Sequence, residues 1–302
     1  MNTKLVSTFA LLLSALVALG TASALRAEVI LHHVHGLAFT ADGKSLMVPA
    51  HIGLAVYRDG RWAKVFGPAH DFMGFSLTEK SIYTSGHPAP DSPLRNPLGL
   101  IKSADGGATW QQLSLAGESD FHLMAAGYRS NVVYVVNPER NSRMPQPGIY
   151  FTRDDGKAWK RAALAGLSER ITSIAVHPTD AGRVALGTLD GLYVSDDFGA
   201  QFRRVGQARA VTAVQFDLDG KHVYFAPTEG AALEHVALDT RKQDSLALPT
   251  LARDFVTYIA QNPANQRELA IATRQRHVYL SRDSGKTWQQ IARQGENMPH
   301  VR

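Results

Sequence analysis

Cysteine is absent from the 302-residue chain. That excludes disulfides, thiolate metal centres, iron–sulfur clusters and a cysteine nucleophile, so any metal must be held by nitrogen, oxygen or thioether donors. Long apolar runs are nearly as scarce. The run from Leu5 to Leu19 is shorter than the roughly 20 residues a membrane span needs. It follows Lys4 and precedes Ala22-Ser23-Ala24, the pattern of a cleaved secretory signal. The expected organisation is a signal peptide over 1–24 and one domain over 28–302, periplasmic or secreted, with no membrane span after cleavage. Charge is not concentrated either. Lys and Arg number 32 against 27 Asp and Glu, and no basic block carries interleaved aromatics, so nucleic acid is not an expected partner. There is no phosphate loop, dinucleotide fingerprint, flavin or haem motif, and no Ser–His–acid order.

What is present is a repeat. The string Ser-x-Asp-x-Gly-x-Thr-Trp is complete at Ser103-Ala104-Asp105-Gly106-Gly107-Ala108-Thr109-Trp110 and again from Ser281 to Trp288. Weaker copies run from Thr152 to Trp159 and from Ser195 to Phe202. Aspartate accepting turn amides, glycine at positive φ and an aromatic tucked under the next strand describe a hairpin turn, a structural rather than a catalytic device. Each copy follows a short apolar strand, with two more β-type runs upstream. First strands are expected near His35, Gly74, His122, Thr172, Thr212 and Thr257. Four short strands per unit of about 40 to 50 residues define a β-propeller. The fold class is therefore all-β, a propeller of six four-stranded antiparallel blades, with seven as the alternative. How the ring closes is left open: residues 28–32 could add an outer strand to the last blade, yet that unit already has four.

The four Asp motifs resemble the Asp-box (BNR) repeats of sialidases, sortilin-type propellers and photosystem assembly factor propellers. The resemblance implies the architecture, not an activity. Sialidases also carry an Arg-Ile-Pro element, which does not occur here, so sialidase activity is not implied. The first half is similar to exported bacterial proteins labelled glycosyl hydrolase-like or BNR-repeat. The residues that carry this are His33-Val34-His35-Gly36-Leu37, Ala50-His51, His70-Asp71-Phe72-Met73-Gly74-Phe75, Ser85-Gly86-His87-Pro88, Asn96-Pro97-Leu98-Gly99-Leu100 and Gly117-Glu118-Ser119-Asp120-Phe121-His122.

The histidines fall in register with the blades. In a propeller the approach to each first strand and the loop from second to third strand open on one face. His33 and His35 approach blade one, and His51 lies in its second-to-third loop. His70 and Asp71 precede blade two, and His87 lies in its loop. Asp120 and His122 precede blade three. His35, His51, His70, His87, His122, Asp71 and Asp120 are thus candidate metal ligands, a set suited to zinc or copper. Met73 or Met144 could add a thioether, although Met73 reads as core. Two long loops on the same face, Ser85 to Pro97 and Asn137 to Pro147, could wall or cover the centre, with Asn96, Glu139 and Arg140 as candidate ligand-binding residues.

In the other half, Arg170, Asp190, Arg209, Glu229, Asp254 and Arg274 occupy equivalent positions and could receive a polar or anionic ligand. His177, His222, His235, His277 and His300 read as solvated or turn residues. Three functions follow. The first is a protein binding a divalent metal or a small polar ligand. The second is a glycosidase-like hydrolase using Asp71, Asp120 or Glu118 as acid and base. The third is a non-catalytic scaffold for a protein partner.

Overall fold

A computed structural model describes residues 29–298 apart from 52 and 66; the expected signal segment over 1–24 and His300 lie outside them. The described residues form six antiparallel sheets and no helix, so none is long and apolar enough to cross a membrane. In blade one the strands run outward from the axis as Ala38–Phe39, Leu46–Ala50, Gly53–Arg58 and Arg61–Lys64. The inner strands of the other blades are Asp71–Leu77, Met124–Ala126, Ile171–Val176, Val211–Phe216 and Val256–Gln261. Each packs beside the next and the sixth packs beside the first, so the ring is closed with six blades.

The core follows from this geometry. A blade is a twisted sheet whose two faces both meet neighbours, so its apolar residues are buried on both sides. Six clusters result, one at each blade interface. The cluster between blades six and one includes Val29 and Leu31, which resolves the closure. Blade six carries a fifth short strand, Glu296–Asn297, and the Leu31 amide donates to Gly295 O at 2.8 Å. Trp62 Nε1 of blade one donates to Ile291 O at 2.8 Å across the same seam. The chain then passes from the outside of blade six over one face to the innermost strand of blade one.

The Asp motifs occupy the third-to-fourth-strand turns on the opposite face. Ser103 Oγ donates to Asp105 Oδ1 at 2.8 Å and accepts from the Gly107 amide at 2.8 Å, while Asp105 accepts the Thr109 amide at 2.9 Å and its hydroxyl at 2.5 Å. The set around Ser281, Asp283 and Thr287 matches it bond for bond. The aromatics wedge each blade against its predecessor: Trp159 Nε1 donates to Ser114 Oγ at 3.2 Å, and Trp288 Nε1 to Ala247 O at 2.9 Å.

These bonds, led by the threonine hydroxyls, hold Asp105 and Asp283 down to about 2. Unfolded carboxylates take up protons near about pH 4, so the stabilisation is complete above that pH and is lost as pH falls toward 2. Thermal melts from pH 5 to pH 2 should show this loss in the wild type and a smaller one in Asp105→Asn/Asp283→Asn. An equal loss in both would contradict the assignment.

Candidate metal centre

Three short segments build the first part of the site. The chain crossing from blade six carries His33 and His35 two residues apart, so in extended backbone their side chains share a side. Arg276 Nη1 donates to His32 O at 3.0 Å and pins this segment. The His35 amide donates to Pro49 O at 3.2 Å, which lays His35 alongside the second strand of blade one and its terminal turn at His51. That turn is joined to blade two by the Gly53 amide, donating to His70 O at 3.0 Å. Gly36 permits the approach: a Cβ there would stand 2.8 Å from Phe75 Cβ of blade two.

The result is a cluster of three imidazoles. His33 and His35 stack with centroids 5.6 Å apart and planes 4° apart, and His51 meets both edge-on at 4.2 and 5.0 Å. One nitrogen from each lies within 4.8 Å of the other two. His35 Nε2 is buried and has no hydrogen-bond partner, an expensive state for a polar atom unless something binds it. His51 Nδ1 lies 2.6 Å from Asp71 Oδ1, off the line of a hydrogen bond. A carboxylate behind one imidazole nitrogen orients the ring and leaves the other nitrogen for a metal.

A second group adjoins the first. His122 Nε2 donates to Asp120 Oδ2 at 2.7 Å, and His87 Nε2 is 3.3 Å from the same oxygen. His87 Nδ1 is 2.7 Å from Asn96 Oδ1, an acceptor, so this nitrogen carries a proton. Asp120 Oδ1 is buried without a partner. The second strand of blade two reaches this point because Gly86 has φ +135° and passes directly over the Asp71 carbonyl, where any Cβ would clash. Asp71 and His87 are paired across the two strands.

Other sequence-derived candidates are not brought in. His70, next to Asp71, points to the other side of the strand, as adjacent residues must. It is buried, its Nδ1 accepts the Ala89 amide at 2.9 Å, and it anchors the Ser85–Pro97 loop instead of facing the cluster. Glu118 holds the other long loop, accepting the Ser142 amide at 2.7 Å and its hydroxyl at 2.9 Å. Met144 is fully buried in the core between blades two and three, which removes it as a thioether donor. Met73 is half-buried and belongs to none of the core clusters. Glu139 and Arg140 are exposed. Neither long loop lines the central cavity, so neither walls it. His177 is a turn residue but not a solvated one: it is buried, with Nε2 2.8 Å from Gly220 O of blade five.

His33, in contrast, belongs to the cluster although register alone did not select it as a ligand. Its position depends on ring closure, and the His33–His35 spacing of two was the available signal.

The cluster lies at the rim of a central funnel of about 620 Å³, lined by His35 and His122 on one side and by Arg170 and Arg274 among the opposite blades. Burial, then the His51 charge, push the His35 imidazole down to about 4. Burial, followed by His51 and Arg276, also lowers His33. The hydrogen bond to Asp120 raises His122. His35 in the folded chain thus stays neutral while an unfolded one protonates near about 6.5. Below that value the unfolded state binds the extra proton, so the metal-free fold loses stability as pH falls from 6.5 toward 4. His35→Phe should flatten this part of the curve in chemical denaturation at pH 7.5, 5.5 and 4.5. An unchanged slope would contradict it.

No protein-family model matches the chain. No curated protein matches it either. Solved structures do. A GH74 xyloglucanase from Xanthomonas campestris superposes with a TM-score of 0.56 at 17% identity, over 88% of this chain and 46% of that one. A GH74 enzyme from Niastella koreensis gives 0.59 at 13%, over 88% and 46%. YCF48 bound to a D1 peptide gives 0.49 at 18%, over 87% and 80%. The chain spans less than half the length of the two GH74 structures, and at these identities the likeness shows the fold alone: a β-propeller.

Proposed function

We propose that this protein is an exported β-propeller that binds one divalent transition-metal ion, zinc or copper, at His33, His35 and His51. The observation that carries this reading is the buried, unpartnered His35 Nε2 within 4.8 Å of donor nitrogens on two further histidines. Three imidazole nitrogens suit either ion. Asp71 behind His51 supplies the outer orientation such sites need. His87, Asp120 and His122 form the adjoining wall.

A hydrolase would need a free carboxylate pair. Here Asp71 contacts His51, Asp120 contacts His87 and His122, and Glu118 is bound to Ser142. That arrangement favours holding an ion over glycosidic acid–base chemistry. Titration calorimetry of the mature chain, untagged and stripped with chelator, should give one Zn²⁺ or Cu²⁺ per chain with submicromolar affinity. Heats no larger than dilution for both ions would overturn the proposal.

A further inference from the structure

The funnel beside the histidines has a chemistry of its own. Arg170 and Arg274 both line it. Among the described residues neither guanidinium has a carboxylate partner, and the backbones of both are fixed: Arg170 O accepts the Leu189 amide at 3.2 Å, and the Arg274 amide donates to Phe255 O at 3.0 Å. Arg209, at the equivalent position of the intervening blade, shows the contrast. It is paired with the buried Glu234 at 2.9 Å, so it is not available to a ligand.

None of the described residues lining the funnel carries a carboxylate. Of the acids next to the lining residues, Glu169 and Glu229 are exposed. Asp190 accepts from Thr188 and Tyr193, and Asp254 accepts the amides of Phe255 and Gln275. A cleft with low-dielectric walls and charge of one sign focuses its field on the opposite charge. Two arginines without carboxylate partners in such a cleft are matched by an oxyanion, which a planar guanidinium binds through two parallel hydrogen bonds.

The walls say what the rest of the ligand is. Thr172 and Thr212 line blades four and five, but their hydroxyls donate across to Val211 O at 2.5 Å and Val256 O at 2.6 Å. They close the blade seams, so both hydroxyls are spent on backbone carbonyls. Leu189, with 51% of its surface exposed, and Phe255 add apolar area at the mouth. We infer that the funnel binds a small organic carboxylate, its charged end on Arg170 and Arg274 and the rest of the molecule among the uncharged wall residues, Leu189 and Phe255 included. The volume of about 620 Å³ is that of ordinary small-molecule sites. This goes beyond the metal reading and uses other side chains.

The test compares probes with and without a carboxylate. Glucuronate against glucose, with succinate and inorganic phosphate alongside, would be titrated into the mature chain at low ionic strength, with and without Zn²⁺. The carboxylates should bind, glucose should not, and added salt should weaken binding. Arg170→Gln and Arg274→Gln should each lower carboxylate affinity roughly tenfold or more, with circular dichroism and Zn²⁺ binding unchanged. Equal binding of glucose and glucuronate, preference for phosphate over both carboxylates, no carboxylate binding at millimolar concentration, or wild-type affinity in both arginine variants would overturn the inference. Loss of the Zn²⁺ heats alone would overturn only the metal proposal.

Discussion

His35→Ala should weaken Zn²⁺ binding roughly 100-fold or more, because even the outer partners of metal ligands are worth about 10–100-fold. Among the described histidines, the substitution removes the one ring nitrogen that is both buried and without a partner and leaves two imidazoles on the rim. His51→Ala should do the same, and Asp71→Asn, which keeps the shape but not the charge behind His51, should lose roughly tenfold. His70→Gln is the informative contrast. Its ring is turned to the Ala89 amide, so the variant should bind Zn²⁺ within about threefold of wild type while melting lower, since a buried bond is lost. Calorimetric titration of the four variants checks the set. A His70 variant that loses as much affinity as His35→Ala would show that the ligand set is wrong.

Gly86→Ala should be the most damaging single methyl in the upper face. The residue stands at φ +135° with the Asp71 carbonyl in the place of its Cβ. The new side chain must displace the first strand of blade two or rotate out of a conformation that L-residues rarely adopt. A loss of about 2–4 kcal/mol is expected, which for a domain of this size lowers the melting temperature by roughly 5 to 10 °C. Because Asp71 and His87 are cross-strand partners at this point, Zn²⁺ affinity should fall as well. Gly106→Ala is the comparison: its Cβ would meet nothing within 4 Å, so only its positive φ is at stake and the shift should be smaller. Thermal and urea melts of both variants decide it. Equal shifts would mean that the close strand approach is not what Gly86 provides.

Most of the architecture could be read directly from the residues. Aspartate–glycine turns recur once per blade in four of the six blades, and short β-branched runs between them leave no room for helices, so six first strands fell where the six inner strands are found. The same register expected His35, His51, His87, Asp120 and His122 on one face; His35 and His51 lie in one group and His87, Asp120 and His122 in another.

Two things were not legible, for physical reasons. Register places a backbone position on a face but does not say which side of the strand the side chain leaves from. At His70-Asp71 only one of two adjacent residues could point inward, and it was the aspartate. The second is closure. Whether Val29 to Leu31 joins blade six depends on contacts with Ile291, Gly295 and Asn297 almost the whole chain away, which no local pattern encodes. His33 belongs to the cluster only because of that closure. The unpaired Arg170 and the paired Arg209 likewise look alike in sequence, since the difference is the glutamate 25 residues further on that reaches Arg209 but not Arg170.

The most direct measurement is an anomalous-difference map at the zinc edge, from crystals of residues 25–302 grown with one equivalent of Zn²⁺. The account requires a single strong peak bonded to nitrogens of His33, His35 and His51 at about 2.0–2.1 Å. A map with no peak between those three rings, or with its peak on other residues, would contradict it.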